Sequence, residues 1–180
     1  MRVFGIDPGS QCTGYGCVDS DGRRHQLVLC GAVRAGVAAT FPEQLSIIYR
    51  ELSAHIAAQR PDVVVIESIF HAVNARSALK LGHARGVAML AATEAGVTVV
   101  EYTPAEIKRS VVGYGRAEKA QVGQMVKLLL GLDAVPAPHD AADALAVAIC
   151  HAHGGKGTPA KGSKAATSWR HYKPVARAAR

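Results

Sequence analysis

Two short apolar runs in this sequence each end in a carboxylate. Residues 3–6 lead directly into Asp7, and residues 63–66, Val-Val-Val-Ile, lead directly into Glu67. A continuous apolar run of this length is typical of a strand that is covered on both faces of a sheet. If the two strands are parallel neighbours, both acids emerge at the same sheet edge, beyond which α/β proteins usually bind their ligands.

The remaining patterns predict the rest of an α/β fold. Three strand-like segments separated by turn sequences predict an antiparallel meander: residues 2–6, 13–18 and 26–33. A helix follows, and a capping box formed by Thr40 and Glu43 marks its start. Strands then alternate with helices. The strands are predicted at residues 63–66 and 97–102, and the helices at residues 75–94 and from residues 104, 118 and 140. We therefore expect a mixed five-stranded sheet, the meander plus two parallel strands, with helices on both faces. A right-handed crossover should place the fourth strand beside the first.

The charge is unevenly distributed along the chain. The formal net charge is +7, and residues 151–180 hold seven basic residues and no acidic one, so residues 1–150 are balanced. We expect one domain at residues 1–153 and a basic, disordered tail at residues 154–180. Such a tail is compatible with a polyanion partner, and equally with a solvated segment that only aids solubility.

Targeting and metal-binding patterns are weak in this sequence. No run approaches the roughly 20 apolar residues of a membrane span, so no membrane is expected and we predict a soluble, cytoplasmic protein. The four cysteines show no C-x-x-C pairing, which favours buried free thiols over disulfides or zinc: Cys12, Cys17, Cys30 and Cys150.

A second pair of acids opens the last predicted helix. Asp140 and Asp143 are three residues apart, so they are expected on one face, and the small residues that follow would let this helix lie close against the sheet. Four carboxylates brought together would repel each other by about 4 kcal/mol per pair at 4 Å and an effective dielectric of 20. Oxygen ligands alone favour magnesium or manganese as the compensating cation, and two such ions about 4 Å apart can hydrolyse a phosphodiester.

Each acid also has a structural interpretation. Asp7 can be a turn residue before Pro8, Glu67 an exposed strand end, and the pair at 140 and 143 a helix N-cap and a first-turn acid. Only the combination of the four favours catalysis.

Several ordered segments resemble the RuvC family of Holliday-junction resolvases, whose fold is ribonuclease H-like. The resemblance spans nearly all of residues 1–153 and rests on residues 5–9 (Gly-Ile-Asp-Pro-Gly), 66–67, 74–82, 84–88, 111–113, 117–119 and 140–146. It implies that Asp7, Glu67, Asp140 and Asp143 are the active-site acids, which would hold two Mg²⁺ ions, with Mn²⁺ also supporting activity.

The resemblance further implies a homodimer that makes paired, symmetric nicks in a four-way DNA junction during recombination and repair. Each nick would leave a 5′-phosphate and a 3′-hydroxyl, and the branch-migration proteins RuvA and RuvB would be partners. Lys119 resembles a family lysine near the scissile phosphate, which would make it a fifth catalytic residue.

The DNA-binding candidates are one aromatic and several basic residues. Phe70 matches a family position where a ring stacks on a nucleobase, although a core phenylalanine is the ordinary alternative. The basic candidates for phosphate contacts are Arg76, Lys80, Lys108, Arg109, Arg116 and Lys119, although basic residues on helices are usually just solvated.

Two smaller features complete the predicted site and assembly. Gly82 and Gly86, four apart on one helix, form a candidate dimer face or a place of close packing within one subunit. His139 precedes Asp140, and because some relatives have histidine in this acidic pair, it is a secondary candidate ligand.

Two other functions fit parts of the sequence. The Asp7-Pro8-Gly9-Ser10 turn also resembles the phosphate-binding turn of sugar-kinase and actin-like ATPases, but those enclose a nucleotide between two domains. A non-catalytic junction-binding protein would use Phe70 and the basic residues, but four acids facing phosphates would weaken its binding.

Overall fold

The computed structural model describes residues 1–36, 40–68 and 74–154, and the backbone of residues 158–159. The strands are β1 (Arg2–Asp7), β2 (Cys12–Ser20), β3 (His25–Arg34), β4 (Val63–Glu67), β5 (Thr98–Tyr102) and β6 (Thr158–Pro159). The helices are α1 (Phe41–Gln59), α2 (Ala75–Glu94), α3 (Pro104–Val112), α4 (Lys119–Leu129) and α5 (His139–Ala152). Across these described ranges, no helix is long and apolar enough to cross a membrane.

The sheet has the order β3-β2-β1-β4-β5-β6. The first three strands pair antiparallel, and β1, β4 and β5 are parallel neighbours. The predicted meander and the position of the fourth strand beside the first and parallel to it are therefore confirmed. A sixth, two-residue strand, β6, lies in the segment assigned to the tail and pairs antiparallel with β5 at the edge of the sheet.

Helices cover both faces of the sheet, as predicted. Phe4 and Ile6 of β1 point towards α1 and α2, whereas Val3 points towards α3, α4 and α5. Alternate residues of β4 divide in the same way, and Val63–Ile66 are all buried. Burial on both faces explains why these strands are continuous apolar runs.

Helix α1 begins where the capping pattern placed it. The Thr40 backbone N–H donates to the Glu43 carboxylate at 2.8 Å, and the Glu43 backbone N–H donates to the Thr40 hydroxyl at 3.4 Å. These reciprocal bonds satisfy donors that the first helical turn otherwise leaves unpaired.

Helix α5 lies unusually close to the sheet because three glycines face it. A Cβ atom at Gly5 would be 2.1 Å from the Ala144 carbonyl oxygen, and one at Gly14 would be 1.9 Å from the Asp140 carbonyl oxygen. At Gly16 it would be 2.7 Å from the Leu145 side chain. We call Gly5, Gly14 and Gly16 the glycine seat. Together with the small residues of α5, the seat brings the first turn of this helix to the rim of the sheet.

Candidate active site

The acids that end β1 and β4 lie side by side at one rim of the sheet. Ile6 pairs with Ile66 in the parallel ladder, so Asp7 and Glu67 leave the sheet at the same level. The pKa of Asp7 is raised by burial first and then by the Glu67 carboxylate, to which it is also hydrogen-bonded. Burial also raises the pKa of Glu67. Without a cation, the pair therefore tends to keep a shared proton at neutral pH.

Asp143 brings the first turn of α5 into this group. Its carboxylate raises the pKa of both Asp7 and Glu67, and it accepts a hydrogen bond from the Lys119 ammonium at 2.7 Å. That hydrogen bond is the main reason why the pKa of Lys119 is raised. Lys119 and Lys108 both lower the pKa of Glu67, so two ammonium groups partly balance the carboxylates.

A narrow crevice of about 80 Å³ connects these groups. Glu67, Asp143, Lys108 and Lys119 line it, together with apolar residues of α3, α4 and α5. The crevice therefore joins the carboxyl end of β4 to two lysines on neighbouring helices, an arrangement suited to an anionic substrate.

Asp140 has a different partner from Asp143. It accepts a hydrogen bond from the Cys12 thiol, with the sulfur 3.1 Å from Oδ2. Burial is the main cause that raises the pKa of Cys12 to about 11, so the thiol donates in its S–H form. The two acids, three residues apart on α5, therefore accept hydrogen bonds from different donors. They lie about 60° apart around the helix axis, and each bonds to the donor on its own side.

The turn after Asp7 is held by a buried threonine. The Thr13 hydroxyl donates to the Gly9 carbonyl oxygen at 2.6 Å and accepts from the Gly9 backbone N–H at 3.2 Å. The roles of Thr13 and of Cys12 as a partner of Asp140 were not predicted from the sequence, because both depend on contacts in the folded structure. Thr13 follows Gly9 by four residues, and that short spacing is the one available signal.

The donor set fits hard divalent cations, although the side chains have other partners here. Within residues 1–36, 40–68 and 74–154, no three His, Cys, Asp or Glu side chains form a ready ligand cluster. Asp143 is paired with Lys119, and Asp140 with Cys12. Asp7, Glu67 and Asp143 nevertheless offer oxygen donors at one rim, where burial first and then the neighbouring carboxylates raise the pKa of Asp7.

The other candidates lie in different places. Phe70 lies outside the described residues. Lys108 and Lys119 line the crevice, whereas Arg76, Lys80, Arg109 and Arg116 are exposed outside it. The Lys80 ammonium lies 5.4 Å from the centre of the Phe41 ring. His139 is exposed at the start of α5 and lines a cavity of about 510 Å³ between α4 and α5, with Lys119 and Asp143.

The raised pKa of Asp7 predicts the pH dependence of stability in the metal-free protein. A carboxyl that keeps its proton in the folded state stabilises the fold at low pH, and this stabilisation is lost as the pH rises through the raised pKa. Asp7→Asn should therefore be more stable than the parent in chelator, with a difference in Tm that grows from about pH 5 to about pH 8. Thermal unfolding at both pH values measures it. A difference independent of pH would contradict the raised pKa.

Comparison with known proteins agrees with this geometry. The family model for crossover junction endodeoxyribonuclease RuvC matches residues 3–151. The RuvC protein of Koribacter versatilis is 54% identical over 154 residues, which cover 85% of this chain and 93% of that protein. The Citrifermentans bemidjiense RuvC protein is 56% identical over 153 residues, covering 85% and 93% of the two chains.

Solved structures show the same likeness. Thermus thermophilus RuvC has a TM-score of 0.81 at 34% identity, covering 88% of this chain and 99% of that one. The T. thermophilus protein in complex with Holliday junction substrate also gives 0.81, at 32% identity and the same coverage. The chain therefore belongs to the RuvC family of crossover junction endodeoxyribonucleases, hydrolases that act on DNA phosphodiester bonds.

Proposed function

We propose that this protein resolves Holliday junctions in recombination and repair by paired, symmetric nicks that leave 5′-phosphate and 3′-hydroxyl ends. The observation that carries the proposal is the group formed by Asp7, Glu67, Asp143 and Lys119 at one sheet rim. A second support is the T. thermophilus relative, whose structure contains Holliday junction substrate. The family model covers nearly all of residues 1–153, which we take as the nuclease domain.

In this proposal, Asp7, Glu67, Asp140 and Asp143 hold two Mg²⁺ ions, which Mn²⁺ can replace. When bound, the ions supply an activated water and stabilise the leaving oxygen. Asp7 gives up the proton that it shares with Glu67, and Lys119 exchanges its bond to Asp143 for one to the scissile phosphate. Lys119 then stabilises the negative charge that develops there, while Lys108 keeps Glu67 ionised.

The experiment that tests this function is a nicking assay on a synthetic four-way junction beside a linear duplex of the same sequence. Each substrate is incubated with Mg²⁺ or with chelator. We expect nicks at symmetric positions in the junction only, and only with Mg²⁺. Nicks that can be re-sealed by ligase would establish the 5′-phosphate and 3′-hydroxyl ends. Equal cutting of the duplex, or cutting in chelator, would overturn the proposal.

We also propose that α2 forms the homodimer interface, since paired nicks need two sites. Gly82 and Gly86 are exposed, and a Cβ atom at either would meet nothing within 4 Å. Among the described residues, the alternative of close packing within one subunit is therefore wrong. Leu79 and Leu90 are 64% and 50% exposed on the same helix, and with both glycines they line an apolar groove of about 510 Å³.

Leu79→Glu should convert the dimer to a monomer. Two-fold symmetry places the substitution twice in the interface. Losing the burial of two leucines costs about 3–6 kcal/mol, which weakens the affinity of the dimer by roughly 100-fold or more. Light scattering measures the mass, and the nicking assay should show single rather than paired cuts. Leu128→Glu on α4 is the matched control, because Leu128 is 69% exposed on another surface. A variant that remains dimeric would exclude this face.

The resemblance to the RuvC family is the reason for proposing RuvA and RuvB as partners. Pull-down of each protein by this chain on a preformed junction would test the assembly. Absence of any junction-dependent association would remove them from the proposal.

A further inference from the structure

Cys12 is placed by the fold to face the first turn of α5. Side chains two residues apart on a strand share a face, so Cys12 and Gly14 of β2 lie on the same side of the sheet. The Gly14 backbone is packed directly against Asp140, and Cys12 extends beyond it at the rim. The next residue, Thr13, points the other way and holds the turn at Gly9.

The contact between Cys12 and Asp140 uses one defined atom on each side. The thiol donates to Oδ2, with the sulfur 3.1 Å from that oxygen. The thiol does not bond to Oδ1, the other carboxylate oxygen of Asp140. The hydrogen bond also fixes the rotation of the carboxylate about the Cβ–Cγ bond. Side chains in the outer shell of metal sites commonly have this role, because an oriented ligand loses less freedom when the ion binds.

We propose that Cys12 is a positioning residue for metal binding: its S–H group holds Oδ2 of Asp140 so that Oδ1 is presented to a divalent cation. This rests on the proposed function, because it assumes that Asp140 is a ligand. It adds a role for a residue outside the four acids. It also distinguishes Cys12 from Cys17, Cys30 and Cys150, whose thiols make no contact with those acids in the described residues.

The prediction concerns metal affinity more than the rate of cutting. Cys12→Val removes the donor but keeps a similar shape, and it should weaken binding of Mn²⁺ by about 10-fold, the lower end of the effect of losing an outer-shell partner. Cys12→Ser keeps a hydroxyl donor and should recover most of the affinity. The rate of junction nicking at saturating Mn²⁺ should change little, whereas the Mn²⁺ concentration needed for half of that rate should rise.

The test is isothermal titration of Mn²⁺ into the full-length, metal-free protein and its variants, without DNA. Cys30→Val is the matched control, since Cys30 lies on β3 away from the carboxylates. A Cys12→Val protein that binds Mn²⁺ as the parent does, or more tightly, would overturn the proposal, as would a Cys12→Ser protein as weak as Cys12→Val. If Cys12→Val does not fold, Cys12→Ala is judged by the same criteria.

Failure of the proposed function would give a different result. If Mn²⁺ binding to the parent protein is absent, or is unchanged by Asp7→Asn, the carboxylates are not the metal site, and the role of Cys12 falls with them. If the parent binds Mn²⁺ through Asp7 and only the Cys12 variants fail to differ from it, the metal site stands and the positioning role alone is wrong.

Discussion

Asp7→Asn should abolish junction cutting while junction binding persists. The amide keeps the size of the carboxylate but lacks its charge, so it cannot hold a cation beside Glu67. Metal ions lower the barrier of phosphodiester hydrolysis by several kcal/mol, and each 1.4 kcal/mol is tenfold in rate, so the rate should fall by roughly 1000-fold or more. Single-turnover nicking of a labelled junction measures the rate, and gel-shift titration in chelator measures binding.

The control for this prediction is Asp133→Asn, the same substitution at an exposed acid in the loop between α4 and α5. It should cut as the parent does. Without metal, Asp7→Asn should bind the junction at least as tightly as the parent, because the substitution adds no negative charge that would repel phosphate. An asparagine variant with normal cutting would refute catalysis by this acid. Equal loss of binding and cutting would instead indicate that the acids are structural.

Gly5→Ala should strongly destabilise the fold. The added methyl group would be 2.1 Å from the Ala144 carbonyl oxygen and 2.9 Å from the Ala148 nitrogen, and both belong to the backbone of α5. The helix would have to move away from the sheet. Overpacking of a core costs about 3 kcal/mol in such cases, which lowers Tm by roughly 10 °C for a domain of this size. Calorimetry in chelator measures the change.

Gly82→Ala is the comparison for this change. A methyl group at Gly82 meets nothing within 4 Å of the chain, and alanine is favoured over glycine inside a helix by about 1 kcal/mol. Compared on the Leu79→Glu background, where the proposed α2 interface is absent, this variant should therefore keep or raise Tm. If Gly5→Ala were as stable as Gly82→Ala, the close approach of α5 to β1 would be wrong.

The strands and helices were predictable because their signals are local. Residues 63–66 are apolar at every position because the strand is covered on both faces, and Thr40 and Glu43 form the capping box that their spacing indicates. Strand β6 was not predicted, because a segment of two residues, one of them proline, is too short to show the alternation of polar and apolar residues that marks a strand. The ATPase alternative was set aside when the RuvC family model matched residues 3–151.

The site was predictable in part. The ladder between β1 and β4 follows from the crossover rule, and it explains why Asp7 and Glu67 meet. The bond from Cys12 to Asp140 joins residues far apart in the chain and depends on the rotation of α5 over the sheet. The three glycines of the glycine seat can be read from the sequence, but the sequence does not indicate which helix packs against them. Contacts of this kind are set by the tertiary structure and have no periodic signal.

Because α5 supplies two of the four acids and is buried along most of its length, the nuclease cannot be assembled in stages. A nascent chain that has not yet released residues 139–152 from the ribosome lacks both the second half of the proposed ligand set and the element that covers one face of β1 and β2. Nuclease activity should then appear only when the fold is complete. Partly synthesised or prematurely terminated chains would be harmless to the chromosome.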